Sequence, residues 1–497
     1  MRDERTVLRV FGVLLVVVAL AFIARYIAGS VVLGNARSLE ESAAALEREE
    51  AQSGWEERHA SLASAYGSAG GTYGRAGLLG QREGSYGNAR CLARSAWHSG
   101  DMAKAAEAAR ALTELTPKDE AAWSMLVNSL VRQGRDGEAD ECRSRAQAAI
   151  GVDASARLGP APRAAEKLGA HGGEVLGIAW SDDGSRLLSG GRDSTVVLWG
   201  LGSGPAKTPL EVPELDLHLQ EVALRGDGST AAALLGIPDP SVNAQLAVWR
   251  LPNSEVARVV ELGRCGAATE SSLGFCAKGS ILAAGSGDGA HLYSENGFGS
   301  SQFVAPHIEE ASAMALSPDG KTLAWGTWIH GGELSFETIE EALTKSNPIE
   351  IEDVATGKTV RRIFPGHWHP ASHVSFSPDG SLLAASFYVP DEEPSEDEPA
   401  GMMPDYSIRV WDVASGKQRF RLAGHEAYVN DFAFTRDGSL IVSCSADNTV
   451  KLWSAVSGNE VASFAIPGVV AAALSPGGWL LATGHRDGSV KLWVLWD

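Results

Sequence analysis

The chain has 497 residues, 44% hydrophobic and 21% charged, the balance of a globular protein of two or three domains and not of a disordered one. Its formal net charge of −20 repels phosphate backbones and no run of Lys and Arg interrupts that field, so nucleic acid is excluded as an expected partner. The five cysteines (Cys91, Cys142, Cys265, Cys276 and Cys444) are widely spaced without a C-x-x-C pair, which argues against a zinc knuckle or redox pair; most read as small buried hydrophobes.

The first predicted element is a transmembrane or signal-anchor helix over residues 8–34. Val10 to Ala24 carries no charge, and after Arg25 the apolar run resumes from Tyr26 to Gly34. A helix of that length spans roughly 37 Å at ~1.5 Å per residue, enough for a bilayer core, with Arg25 snorkelling to an interface. A cleavable signal peptide ending at the small residues Gly34 and Ala36 is the competing reading; the apolar stretch is longer than such a peptide needs. Arg2, Arg5 and Arg9 precede the apolar run and Arg37 follows it, a bias toward a cytoplasmic N-terminus with the bulk of the chain outside. The expected location is therefore a single-pass membrane protein.

Residues 35–66 read as a helical stalk, with Leu39, Ala43 and Leu46 on one face. Residues 67–85 form a glycine-rich linker, since the glycines fit neither G-x-x-x-x-G-K-[ST] nor G-x-G-x-x-G and so make no phosphate cradle. Residues 86–150 read as two helical hairpins. Gly100 and Gly134 are followed five residues later by Ala105 and Ala139, where two helix axes cross too closely for larger side chains. Leu112 and Ala146 take matching positions, Pro117 ends the first hairpin, and Trp123, Leu126 and Val127 form the packing face of the second. The pattern resembles the tetratricopeptide repeat, which implies a protein-binding helical module; a plain helical spacer is the alternative. Two such repeats are fewer than usually make a stable array. Residues 151–162 are a linker rich in Ala, Gly and Pro.

From residue 163 to the end the chain repeats itself. A turn ending in Gly follows a short apolar run seven times: SDDG (181–184), RGDG (225–228), CAKG (276–279), SPDG (317–320), SPDG (377–380), TRDG (435–438) and SPGG (475–478). Asp-Gly between two apolar runs is a hairpin signal, because Gly tolerates positive φ. Each turn leads to a strand ending at Trp199, Trp249, Tyr293, Asp353, Asp412, Trp453 or Trp493. Four short strands per period of this size predict a propeller blade.

Gly424 and His425, the SPDG turns, and Trp411 with Asp412 identify a resemblance to the WD-repeat family over about 330 residues. The fold class it implies is mainly β: a seven-bladed WD-repeat β-propeller. The resemblance also implies a structural hydrogen-bond set in each well-kept blade, made of a His before the first strand, a Ser or Thr on the second, an Asp in the next turn and the Trp. It falls on His171, Ser189, Asp193 and Trp199; on His425, Ser443, Asp447 and Trp453; and, without its His, on Thr483, Asp487 and Trp493. Recurrence speaks for structure, since an active site is needed once. The family's order of strands further requires residues 163–170 (RAAEKLGA) to supply the missing outer strand of the last blade, closing the ring and removing a free edge.

Three units carry extra residues between their second and third strands, at 236–245, 329–348 and 389–405. In the family this connection lies on the top face, near the channel mouth. The second insert holds Phe336, Ile339 and Leu343 at helical spacing; the third holds Asp391, Glu392 and Glu393, then Met402 and Met403. They are read as a docking rim, acidic and partly apolar, for a protein partner; solvated loops are the alternative. His367, His369 and His373 cluster around the fifth unit, with no carboxylate or Cys at ligand spacing, so no metal is expected. No nucleophile–base–orienter set appears. The predicted function is a membrane-anchored protein–protein interaction scaffold without catalysis or cofactor; a propeller that binds or transforms a small ligand at its axial mouth is the alternative.

Overall fold

The computed structural model describes residues 36–40, 64, 68–69, 82–98, 101–133, 135–150, 163–201, 206–212, 218–236, 243–251, 255–264, 273–276, 281–286, 289–294, 301–304, 311–327, 347–366, 369–387, 405–476, 478 and 480–495. The predicted anchor over 8–34 lies outside them. Among the described residues no helix is long and apolar enough to cross a membrane. The chain divides into two units, residues 1–159 and 160–497.

In the first unit four helices run Arg82–His98 (α1), Met102–Leu115 (α2), Glu120–Arg132 (α3) and Asp136–Ile150 (α4), each packed on the next. Ala105, Ala139 and Ala146 have no exposed surface, and Leu112, Trp123, Leu126 and Val127 are buried; Gly100 and Gly134 lie outside the described residues. Asp101 caps α2 by accepting from the Lys104 N–H at 3.1 Å, satisfying one of the donors that a helix start leaves open. After Thr116 the chain turns at Pro117, whose carbonyl accepts the Trp123 indole N–H at 2.8 Å and so ties the turn to α3. α1 begins at Arg82, so residues 82–85 of the predicted glycine-rich linker are helical. Of the predicted stalk, residues 36–40 are helical.

The second unit is built of seven four-stranded antiparallel sheets. The first four blades take β2–β5 (Val175–Trp180, Arg186–Gly191, Val196–Gly200, Ala206–Leu210), β6–β9 (His218–Leu224, Thr230–Gly236, Asn243–Arg250, Glu255–Arg264), β10–β13 (Leu273–Phe275, Ile281–Ser286, Gly289–Ser294, Ser301–Val304) and β14–β17 (Ala311–Leu316, Thr322–Thr327, Ile349–Asp353, Lys358–Ile363). The fifth takes β18–β21 (Ala371–Phe376, Leu382–Phe387, Ile408–Asp412, Gln418–Leu422) and the sixth β22–β25 (Val429–Phe434, Leu440–Ser445, Thr449–Ser454, Glu460–Ala465). The seventh has β26–β28 (Val469–Leu474, Leu480–His485, Ser489–Val494), completed by β1 (Arg163–Ala170) on the edge of β28.

First strands of successive blades pack side by side around the ring, and β2 meets β26 where it closes. Second strands are the most buried, as in LLAASF of β19 and LIVSCS of β23, because neighbouring blades cover both faces. Apolar clusters accordingly run between blades: Leu188 and Val196 pack with Val222 and Trp249, and Val175, Leu187 and Trp199 pack with Ala482 and Leu492 across the seam. The six described turn glycines, from Gly184 to Gly478, have φ of 66 to 74°, as the Asp-Gly turns require.

β1 pairs with β28 in the register Ala164↔Trp493, Glu166↔Leu492, Lys167↔Lys491, Gly169↔Val490 and Ala170↔Ser489, and the His171 N–H continues onto the Gly488 carbonyl at 2.9 Å. Gly169 lies against the Trp199 indole so closely that a Cβ there would come within 2.6 Å of the ring, so the strap needs glycine where it crosses onto blade one.

Candidate interaction surface and the blade networks

Blade six holds the most complete network. The Trp453 indole N–H donates to Ser443 Oγ at 2.8 Å, and Ser443 lies 2.8 Å from His425 Nε2. His425 Nδ1 is 2.9 Å from Asp447, whose carboxylate also accepts the backbone N–H of Glu426 and both the N–H and the hydroxyl of Thr449. Burial pushes the Asp447 carboxyl up, but the Thr449 hydroxyl, the Glu426 N–H and His425 together hold it down at about 2. It is therefore an acceptor only, which places the proton of neutral His425 on Nδ1 and lets Nε2 accept from the Ser443 hydroxyl. Burial keeps His425 neutral by lowering its pKa. The chain of bonds ties the loop before β22, the strand β23 and the turn before β24 to one buried indole.

Blade one repeats the pattern with a change. Trp199 donates to Ser189 at 2.8 Å and Ser189 meets His171 Nε2 at 2.8 Å. The expected contact of His171 with Asp193 is 3.6 Å long, beyond a hydrogen bond. Thr195 stands between them: its hydroxyl donates to Asp193 at 2.7 Å and accepts from His171 Nδ1 at 2.6 Å. Asp193 still accepts the Gly172 N–H.

Blade seven keeps a histidine after all. Trp493 donates to Thr483 at 2.8 Å, and Thr483 meets Nε2 of His485 at 3.0 Å; His485 Nδ1 donates to the Pro467 carbonyl at 3.2 Å. Thr483 and His485 are two apart on β27 and so share a face, which lets the second strand supply the ring that the preceding loop lacks. Asp487 is left to brace its own turn through the N–H and hydroxyl of Ser489.

Blade five contains a member that sequence reasoning passed over. Asp405 precedes Trp411 by six residues, the offset of Asp193, Asp447 and Asp487 from their tryptophans. It is 5% exposed and accepts from Ser407, from Arg409 at 2.7 Å and from Arg421 at 3.1 Å. Burial raises its pKa, but the Ser407 hydroxyl and the Arg409 guanidinium bring it to about 2. Arg409 also donates to the Pro365 carbonyl and lies over the Phe387 ring, binding both stems of the long connection to the loop before the blade.

The long connections leave the rigid strands at these stems. Thr327 and Pro348 close the stem in blade four, where Thr327 donates to the Pro348 carbonyl at 3.0 Å through its hydroxyl, and buried Asn347 takes φ of 47°. Phe387 and Asp405 close that of blade five. The candidate docking residues Phe336, Ile339, Leu343, Asp391, Glu392, Glu393, Met402 and Met403 lie outside the described residues, as does His367. His369 is buried, and His373 lies 3.5 Å from Asp431 and edge-on to Phe432. Among the described residues no three His, Cys, Asp or Glu side chains group as metal ligands.

The networks make stability depend on pH. Burial lowers the pKa of His171, His425 and His485 from the ordinary 6.5. The unfolded chain then binds protons that the folded one refuses, so this stability is present above about pH 6.5 and is lost as pH falls below it. Asp405 and Asp447, at about 2 against an ordinary 3.8, add a second loss as pH falls through that lower window. The thermal midpoint is expected to decline between pH 7 and about 5 and to steepen below about 4; a flat midpoint over both windows would contradict the assignment.

Sheet topology and networks together define the class: a seven-bladed propeller carrying WD40 repeats. Three segments, 164–200, 358–412 and 416–454, match the family described as WD domain, G-beta repeat. Each begins on the outer strand of one blade and ends on the third strand of the next, one strand out of phase with the sheets, which is why a strap from the start of the ring must finish its last blade. The chain is 32% identical to ribosome assembly protein 4 of Saccharomyces cerevisiae over 126 residues (20% of this chain, 24% of that protein). It is 35% identical to small ribosomal subunit protein RACK1y of Oryza sativa over 92 residues (18% and 27%). It is 26% identical to human echinoderm microtubule-associated protein-like 2 over 302 residues (60% and 39%). The matches thus span about a quarter to two fifths of those proteins' lengths.

Proposed function

We propose that this chain is an interaction scaffold, anchored in a membrane by residues 8–34 with the propeller on the non-cytoplasmic side, which gathers protein partners on the propeller and on a tetratricopeptide-like helical unit and catalyses nothing itself. The observation that carries the reading is that the recurrent His, Ser or Thr, Asp and Trp side chains bond to one another inside the blades and stiffen them. A rigid ring so braced is a platform, and its variable parts are the connections it holds. Two of the longest leave adjacent blades between second and third strands, from stems fixed by Thr327 with Pro348 and by Asp405 with Arg409. Relatives whose names place them in ribosome assembly and in the small ribosomal subunit accord with this class of work.

The acidic, partly apolar insert 389–405 is the proposed docking element. Deleting its residues 389–403, which keeps the Asp405 stem, is expected to remove a subset of the proteins captured by crosslinking and pull-down of the full chain, with little change in thermal midpoint because Asp405 and its partners Ser407, Arg409 and Arg421 stay in place. An unchanged set of captured proteins would sink the assignment of that insert.

A further inference from the structure

Among the described residues, the outermost strand of each blade has one side without a paired neighbour in its sheet. Two of the seven differ from the rest. β17 reads KTVRRI and β21 reads QRFRL, five cations in eleven residues without a carboxylate. In contrast, β9 (EVARVVELGR) and β1 (RAAEKLGA) mix both signs, β25 (EVASFA) carries Glu460 alone, β13 (SQFV) carries no charge and β5 (AKTPL) one lysine. Basic residues on an edge also discourage unwanted strand pairing, but a general device of that kind would recur around the ring, and here it is confined to two adjacent blades.

The geometry makes those two edges one surface. Arg361 of β17 donates to the carbonyls of Ala414 and Ser415, at 2.5 and 3.1 Å, in the turn that leads into β21. Two of the neighbouring carboxylates are withdrawn beneath the strip: Glu350 and Asp405 are 6% and 5% exposed, while the side chains of their partners Arg362 and Arg421 remain 59% and 55% exposed. Asp353, opposite Lys358, and Asp412, beside Arg361 and Arg419, lie nearer the surface and offset part of the positive charge. Val360 and Phe364 add uncovered apolar surface, 59% and 43% exposed. In a chain of net charge −20 a strip with this sign is selective, because beyond about 8 Å the surrounding negative field is screened and contact-range charge decides what binds.

We propose that the outer rim of blades four and five docks an extended acidic segment of a partner protein, laid along β17 and β21 with carboxylates on the cations and apolar side chains on Val360 and Phe364. This deepens the scaffold reading, on which it rests, by giving the chemistry of one partner and a second docking surface apart from the insert 389–405.

The test measures polarisation of a fluorescent peptide of alternating Glu and Val with the full chain at low and high salt. Binding is expected at low salt and is expected to weaken at high salt. Lys358→Glu with Arg419→Glu, both exposed, is expected to weaken it at least about tenfold, and Lys358→Gln with Arg419→Gln by less, with thermal midpoints near the parent's in both. Equal affinity in parent and charge-reversed chains would overturn the proposal. So would binding of phosphatidylserine vesicles, lost on charge reversal, without binding of the peptide, since the strip would then read a lipid surface. Deletion of 389–403, which keeps Asp405 beneath Arg421, is expected to leave peptide binding in place; its loss would move the site to the insert. Because the scaffold reading is tested by capture through that insert, either can fail without the other.

Discussion

Replacing Trp453 by alanine is expected to cost about 3–5 kcal/mol. The indole is 1% exposed and packs with Leu382, Ile408, Phe432 and Ile441, so the loss opens a cavity between blades five and six. It also removes the donor to Ser443, and through Ser443 the orientation of His425 and the tie to Asp447. Trp453→Phe separates the two contributions: it keeps most of the packing and loses the N–H, for about 1 kcal/mol. Denaturant unfolding of the three chains measures both. A Trp453→Ala chain as stable as the parent would mean that the blade six network bears no strain of the fold.

The second large effect concerns the strap. Removing residues 163–170 strips the paired strand from β28, takes the Trp199 indole off Gly169 and opens the seam cluster of Val175, Trp199, Ala482 and Leu492. The loss is expected to be comparable with the whole stability of a domain, about 5–15 kcal/mol, because a propeller gains its cooperativity from being closed. The freed edge of β28 is a template for another chain, so self-association should accompany the loss.

The ring was legible in the sequence because its signals are local and repeated. A turn glycine at positive φ, an indole at the end of a third strand and an Asp six residues before it each follow from one blade's geometry; the turn recurs in seven units, the indole in five and the Asp in four. The strap followed from strand order. What was hidden came from departures of single blades. Asp405 is separated from the second strand of its blade by the insert, which masked a spacing that counting back from Trp411 recovers. His485 escaped because the family's histidine precedes the first strand, while here the ring reaches the same Thr483 hydroxyl from two residues along β27. Thr195 between His171 and Asp193 is a matter of about 1 Å and leaves no mark in composition. The basic rim was invisible for a different reason: β17 and β21 are far apart in the chain, and only their placement on neighbouring edges makes one surface of them.

For function these differences have one consequence. The His, Ser and Thr side chains of the networks bond to one another inside the blades, and the proposed docking surfaces are the connections and the rim. A platform of this kind depends on a closed, rigid ring. Its most direct test is to heat the chain lacking residues 163–170 beside the intact chain, following β-sheet signal and particle size together. A ring closed by the strap predicts a large fall in the unfolding temperature with association of the shortened chain. An unchanged midpoint in a chain that stays monomeric would show that the seventh blade does not need β1, and the platform proposed here would have lost the element that completes it.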